Sequence, residues 1–203
     1  MTGFRVERVL DIKAQLGESP AWSVEQQALF WLDIHGLTIN RFHPASGRND
    51  IWTLPAMPGC FALRVENGAV IAARDGIYDI DFSTGEIKRL VTAPFDSAHY
   101  RFNDGKPDRQ GRLWAGSFPL AMTIEHRIEN GAILYRYDGV ALESGIDPIT
   151  AANGTAFSPD GRTLYRAESL DRLILAHEYD PLSGSASNPS LTLAKSRPYN
   201  SMR

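Results

Sequence analysis

Four polar residues stand in segments whose composition could support chemistry. Glu18 lies in "LGESPAW", Arg101 and Asn103 in "YRFNDGK", and Asn153 in "TAANGTAFSPDG". A glutamate oxygen, an asparagine side-chain carbonyl and further oxygens from protein or water suit a hard cation such as calcium, magnesium or manganese, and are tolerable for zinc. An oxygen-held divalent ion polarises a carbonyl and lowers the pKa of bound water. The planar fork of Arg101 can hold an anionic or hydroxyl-rich molecule. The chemistry that fits is hydrolysis of a polarised carbonyl. Each residue also has a plainer reading: Glu18 as a solvated turn carboxylate, Asn153-Gly154 as a turn pair, and Asn103-Asp104-Gly105 as a supplier of left-handed turn conformations. Their shared placement argues for function, because each precedes a polar turn by a similar distance.

Those turns belong to a repeat. The runs "ALFWLDI", "TINRFH", "AVIAAR", "GIYDIDF", "RLWAGSF", "AILYRYD", "TLYRAES" and "LILAHEYD" are strand-like and bounded by Gly, Pro, Asn, Asp or Ser. Sustained helical periodicity is absent, so the pattern is all-β. Four units are visible, opened by "SVEQQ", "VENG", "DRQG" and "SPDG", each with a second strand that ends in a corner such as "FHPASG" or "YDPLSG". Their first strands begin near Leu29, Val70, Leu113 and Leu164, a spacing of roughly 40 to 50 residues that matches β-propeller blades. A β-sandwich is the alternative, but it need not repeat its corner chemistry. In a propeller the three polar segments are expected in connections between strands, where equivalent positions of successive blades converge on a central channel.

The chain has 203 residues, 43% hydrophobic and 22% charged, enough for one globular domain over 1–203. A net charge of -3, with no run of Lys or Arg, argues against nucleic acid. No signal-like start or long apolar run occurs, so a cytoplasmic location without membrane contact is expected. Cys60, the single cysteine, excludes an internal disulfide and a thiolate zinc cluster and reads as a buried strand residue. Neither a Gly-Xaa-Ser-Xaa-Gly elbow nor a helical pair of zinc histidines is present.

"LGESPAW" at 16–22, "RFNDGKPDRQGRLWAGS" at 101–117 and "NGTAFSPDGRTLY" at 153–165 resemble the three signature segments of the gluconolactonase and senescence marker protein (regucalcin) family. The resemblance covers about residues 5 to 184. It implies a six-bladed β-propeller, about four blades of which lie in this chain, with one divalent cation, usually calcium or zinc and sometimes manganese or magnesium. The implied activity is opening of a sugar lactone to the aldonic acid. By position, Glu18 and Asn153 resemble the metal ligands, and Arg101 and Asn103 the pair that holds the substrate.

Two departures carry expectations. The family's third ligand, an aspartate also proposed as general base, has no counterpart after Asp180, so the base is expected beyond Arg203 and the isolated chain is expected to have little or no lactonase activity. Glu168 stands where family members commonly have aspartate. Residues 5–13, "RVERVLDIK", read as a strand of a closing blade, and exposed blade edges are expected to favour self-association. The alternative functions are a non-catalytic calcium-binding or regulatory propeller of the regucalcin type and an interaction scaffold.

Overall fold

The computed structural model describes residues 5–123, 125–187 and 189–194; the closing "KSRPYNSMR" lies outside them. All regular structure among these residues is strand, and no helix is long and apolar enough to cross a membrane. The chain falls into two compact units, Met1–Met57 and Pro58–Arg203. The first holds one antiparallel meander of β1 (Gly17–Ser23), β2 (Ala28–Asp33), β3 (Thr38–His43) and β4 (Arg48–Thr53).

The second unit holds three more meanders. One is β5 (Pro58–Arg64), β6 (Gly68–Ala73), β7 (Gly76–Asp81) and β8 (Ile87–Thr92). The next is β9 (Tyr100–Pro107), β10 (Leu113–Pro119), β11 (Ala132–Tyr137) and β12 (Leu142–Ile149). The last is β13 (Asn153–Phe157), β14 (Thr163–Glu168) and β15 (Leu173–Asp180), whose outer edge pairs with both β16 (Ser185–Ala186) and β17 (Ser190–Ala194). Four antiparallel meanders of this kind, three of four strands and one whose outer edge is shared by two short strands, are the blades of a β-propeller.

The blade count of the sequence reading holds, but its phase shifts by one strand. The turns "SVEQQ", "VENG", "DRQG" and "SPDG" follow the first strand of each blade instead of opening it. "RLWAG" belongs to a second strand, and "YRFNDGKP" is itself β9. The three polar segments therefore lie on first strands and not in connections. The first strands were hidden because each carries Gly, Pro or Asn where a sheet ordinarily has β-branched residues.

Corner chemistry repeats as expected. Gly47, Gly85, Gly139 and Gly184 close the turns between third and fourth strands with φ of 70°, 75°, 101° and 70°, a region that favours glycine. Residues 5–13 form no strand: Val6 and Val9 are exposed, and no described strand pairs with this stretch to satisfy its backbone.

Within the second unit, β9 packs between β5 and β13. Cys60, Phe102, Leu113, Ala115 and Tyr135 share one buried cluster; Trp114, Leu134, Ile149, Ala152 and Leu164 share another. The close approach of first strands rests on a missing side chain. A Cβ on Gly59 would sit 2.4 Å from the Asn103 carbonyl oxygen.

Candidate functional site

Each first strand carries one residue more than its partner. Glu18 to Ala21 spans three steps against two from Leu32 to Phe30, and Asn153 to Ala156 spans three against two from Ala167 to Tyr165. Phe102 to Gly105 likewise faces Ser117 to Ala115, and Pro58 to Cys60 faces Ala73 to Ala72. Such β-bulges bend a strand and re-aim its side chains, and they recur beside functional sites.

The candidate residues sit at these bulges. Glu18 and Asn153 are the last paired residues before them, each followed by a residue in the left-handed region, Ser19 with φ 52° and Gly154 with φ 59°. Ser19 is not glycine, so that conformation carries a cost that a functional constraint can justify. On β9 the residue in the matching register is the buried Phe102, and Asn103 follows it inside the bulge.

Asn103 and Asn153 meet in the second unit. Both line a cavity of about 210 Å³ whose other walls include Phe118, Met122, Ala151, Ala152 and Leu170. A small apolar pocket with a few polar groups is the usual form of a ligand site. Asn103 donates from Nδ2 to the Ala152 carbonyl at 2.8 Å, and the neighbouring Asp104 accepts from the Thr155 backbone N–H at 2.7 Å. Residues 152 and 155 are thus gripped on either side of Asn153-Gly154. Burial raises the Asp104 pKa, against the lowering effect of the Thr155 and Gly105 N–H groups and of Lys106.

Arg101 borders this cavity without lining it. Its guanidinium lies 5.2 Å from the ring centroid of Phe118, a cavity wall, and Nη1 donates to the Phe102 carbonyl at 3.0 Å. The stacking keeps the planar cation beside the aromatic face. In the first unit, Glu18 is exposed and lines a cleft with Leu10, Ile12, Pro20 and Trp31.

Two buried carboxylates went unflagged as site residues in the sequence. Asp33 ends β2 and accepts the backbone N–H groups of Gln15, Leu16 and Gly36 at 2.9, 2.9 and 3.0 Å. Burial alone would raise its pKa, but these three N–H groups and the His35 charge hold it below the ordinary value. Glu168 ends β14, pairs with Arg166 and accepts the N–H of Ala151 at 3.3 Å and of Thr150 at 3.5 Å. Arg166 in turn donates Nε–H to His177 Nε2 at 3.1 Å, and His177 Nδ1 donates to the Ser187 carbonyl at 2.7 Å. Burial lowers the His177 pKa, opposed by the Ser187 contact and aided by the Arg166 charge, so the ring is neutral.

Among the described residues no group of three or more His, Cys, Asp or Glu side chains stands together as a cation cage. The residues lining the cavity include the amides Asn103 and Asn153 and the hydroxyls Thr123 and Ser169, oxygen donors that fit a hard divalent ion in kind.

Residues 16–201 match the model of the SMP-30/Gluconolactonase/LRE-like region. The chain belongs to this family. The 6-deoxy-6-sulfogluconolactonase of Pseudomonas putida is 36% identical over 166 residues, 81% of this chain and 55% of that protein. Regucalcin of Xenopus laevis is 28% identical over 190 residues, 93% of this chain and 63% of that protein. A solved calcium-binding protein, regucalcin, from Agrobacterium tumefaciens superposes with a TM-score of 0.82 at 23% identity, covering 90% of this chain and 61% of that one. The chain therefore spans roughly three-fifths of the length of the relatives it matches. The superposition shows that the family's propeller blades are the fold here.

Proposed function

We propose that the protein carrying these residues is a metal-dependent hydrolase that opens a sugar lactone, adding water across the ring ester to give the hydroxy acid. The carrying observation is the convergence of Asn103 and Asn153 on one small cavity, from bulges of adjacent first strands. The name of one relative, a sulfogluconolactonase, supports the substrate class, and the description of the solved Agrobacterium neighbour as a calcium-binding protein supports the cation.

Glu18 and Asn153 are the proposed cation ligands. A calcium or other divalent ion would supply Lewis-acid polarisation of the lactone carbonyl and acidify a bound water. The remaining roles fall to this chain's side chains. With Nδ2 committed to Ala152, Asn103 keeps its carbonyl oxygen to accept from a ring hydroxyl. Arg101, stacked on Phe118, brings a planar cationic fork that suits substrate oxygens. Phe118, Met122 and Leu170 exclude water from the sugar's apolar edge.

The test is hydrolysis of glucono-1,5-lactone by the protein from its complete reading frame, with and without added calcium or zinc. Cation-stimulated turnover, abolished in Glu18→Gln and Asn153→Ala, is the expected result. Turnover that ignores both cation and variants would overturn the reading, while tight calcium binding with no hydrolysis across a lactone panel would favour a regulatory binder.

A further inference from the structure

Asp33 and Glu168 occupy the same place in two blades. Each is the last residue of a six-residue second strand, β2 or β14, and each is nearly closed to solvent at 8% and 6% exposure. Asp33 accepts the N–H groups of Gln15 and Leu16, three and two residues before Glu18. Glu168 accepts those of Thr150 and Ala151, three and two residues before Asn153. The spacing is identical in the two blades.

The other two blades lack the device. Strand β6 ends at Ala73 and is followed by Arg74, while β10 ends in Ser117, Phe118 and Pro119. Blade architecture therefore does not require a carboxylate at this point. Burying one is costly unless it is fully partnered, and Glu168 needs the equally buried Arg166 beside it. A costly group confined to the two blades that carry Glu18 and Asn153 is accounted for by those residues.

We propose that Asp33 and Glu168 are matched positioning residues, each fixing the backbone that leads into one of the two proposed cation ligands. The carboxylate oxygens anchor two consecutive N–H groups, which sets the direction in which the strand enters its bulge. The bulge then fixes where the next side chain points. The oriented oxygens act as outer partners of a cation site do, touching no ion themselves. This inference rests on the reading of Glu18 and Asn153 as ligands.

The experiment compares Asp33→Asn and Glu168→Gln in the whole protein with Asp108→Asn as a control. Asp108 is another buried carboxylate that accepts two N–H groups, of Gln110 and Arg112, but in a hairpin turn distant in sequence from either ligand. Calcium affinity by calorimetry is expected to fall at least about tenfold in the first two variants and to stay unchanged in the control, although all three melt lower. Amide exchange should rise at Gln15 and Leu16 in one variant and at Thr150 and Ala151 in the other. Glu168→Asp, which keeps the charge beside Arg166 but draws the acceptor oxygens back, serves where Glu168→Gln does not fold and should show the same loss. Equal calcium affinity in wild type and both variants would overturn the proposal. If the wild type binds no calcium, the ligand reading fails; the positioning claim then stands or falls on whether local exchange changes.

Discussion

Asn103 of β9 donates its side-chain amide to the backbone carbonyl of Ala152 at 2.8 Å, and this bond ties one candidate residue to the strand entry of another. Its neighbour Asp104 takes the N–H of Thr155, so two consecutive residues of one blade hold the bulge of the next from both ends. Asn103→Ala should therefore cost stability as well as binding. About 1 kcal/mol is expected from the lost hydrogen bond, read by denaturant unfolding. Lactone turnover should fall by a larger factor than that stability change, because the Asn153 bulge loses its anchor.

Gly116 cannot be replaced cheaply. A Cβ there would lie 1.8 Å from the Cβ of Ala152, and both atoms belong to short side chains that cannot swing aside. Gly116→Ala is expected to destabilise by about 3 kcal/mol through overpacking. It should also displace Ala152 from the reach of Asn103. Thermal melting gives the first effect and cation binding by the folded protein the second.

His177 makes stability pH-dependent in a defined direction. Its pKa in the folded chain lies below the ordinary 6.5, so as pH falls the unfolded chain takes up the proton first. The contribution is fully present above 6.5 and is lost as pH drops from there toward the folded value. Asp104, raised in the folded chain, acts with the opposite slope, gaining stability as pH falls through its raised value toward 3.8. The measurement is therefore a difference: between pH 7 and pH 5, His177→Gln should lose less stability than wild type.

At the alkaline end the equivalent group is Tyr179. Its hydroxyl donates to Asp108 and accepts from the Trp114 indole, and burial first, then the Asp108 contact, push its pKa up to about 12. Above pH 10 the unfolded chain ionises while the folded chain does not, so stability should drain away between 10 and 12. Tyr179→Phe should flatten this decline while lowering stability at neutral pH, since a hydrogen bond to a charged carboxylate is removed. Unfolding curves at pH 8, 10 and 11 test both parts.

The second and third strands of every blade were legible because they alternate and are rich in Leu, Ile, Val, Tyr and Phe. Strands β2, β3, β6, β7, β10, β11, β14 and β15 fall where those runs stand. First strands such as "GESPAWS" and "YRFNDGKP" were not legible as strands: their bulges break alternation, and Gly105 of the second serves close packing that a sequence does not display. Fourth strands such as "RNDIWT" and "IKRLVT" are partly or fully solvated and show no clean apolar face. The polar residues at the site were visible by type, and Asn103 and Asn153 are brought together. The carboxylates behind them were not, because Asp33 and Glu168 act on backbone N–H groups, which every residue but proline possesses.

The extra residue in each first strand also bears on what the site tolerates. Deleting Gly154 would remove the surplus residue from β13 and restore plain alternation against β14, leaving a more regular sheet. Asn153 would still stand opposite Ala167, but without the backbone turn that re-aims its side chain. A better-formed strand would be a blind one. The irregularity that makes these blades hard to read is the means by which a sheet, whose side chains otherwise alternate between its two faces, can turn one toward a third direction.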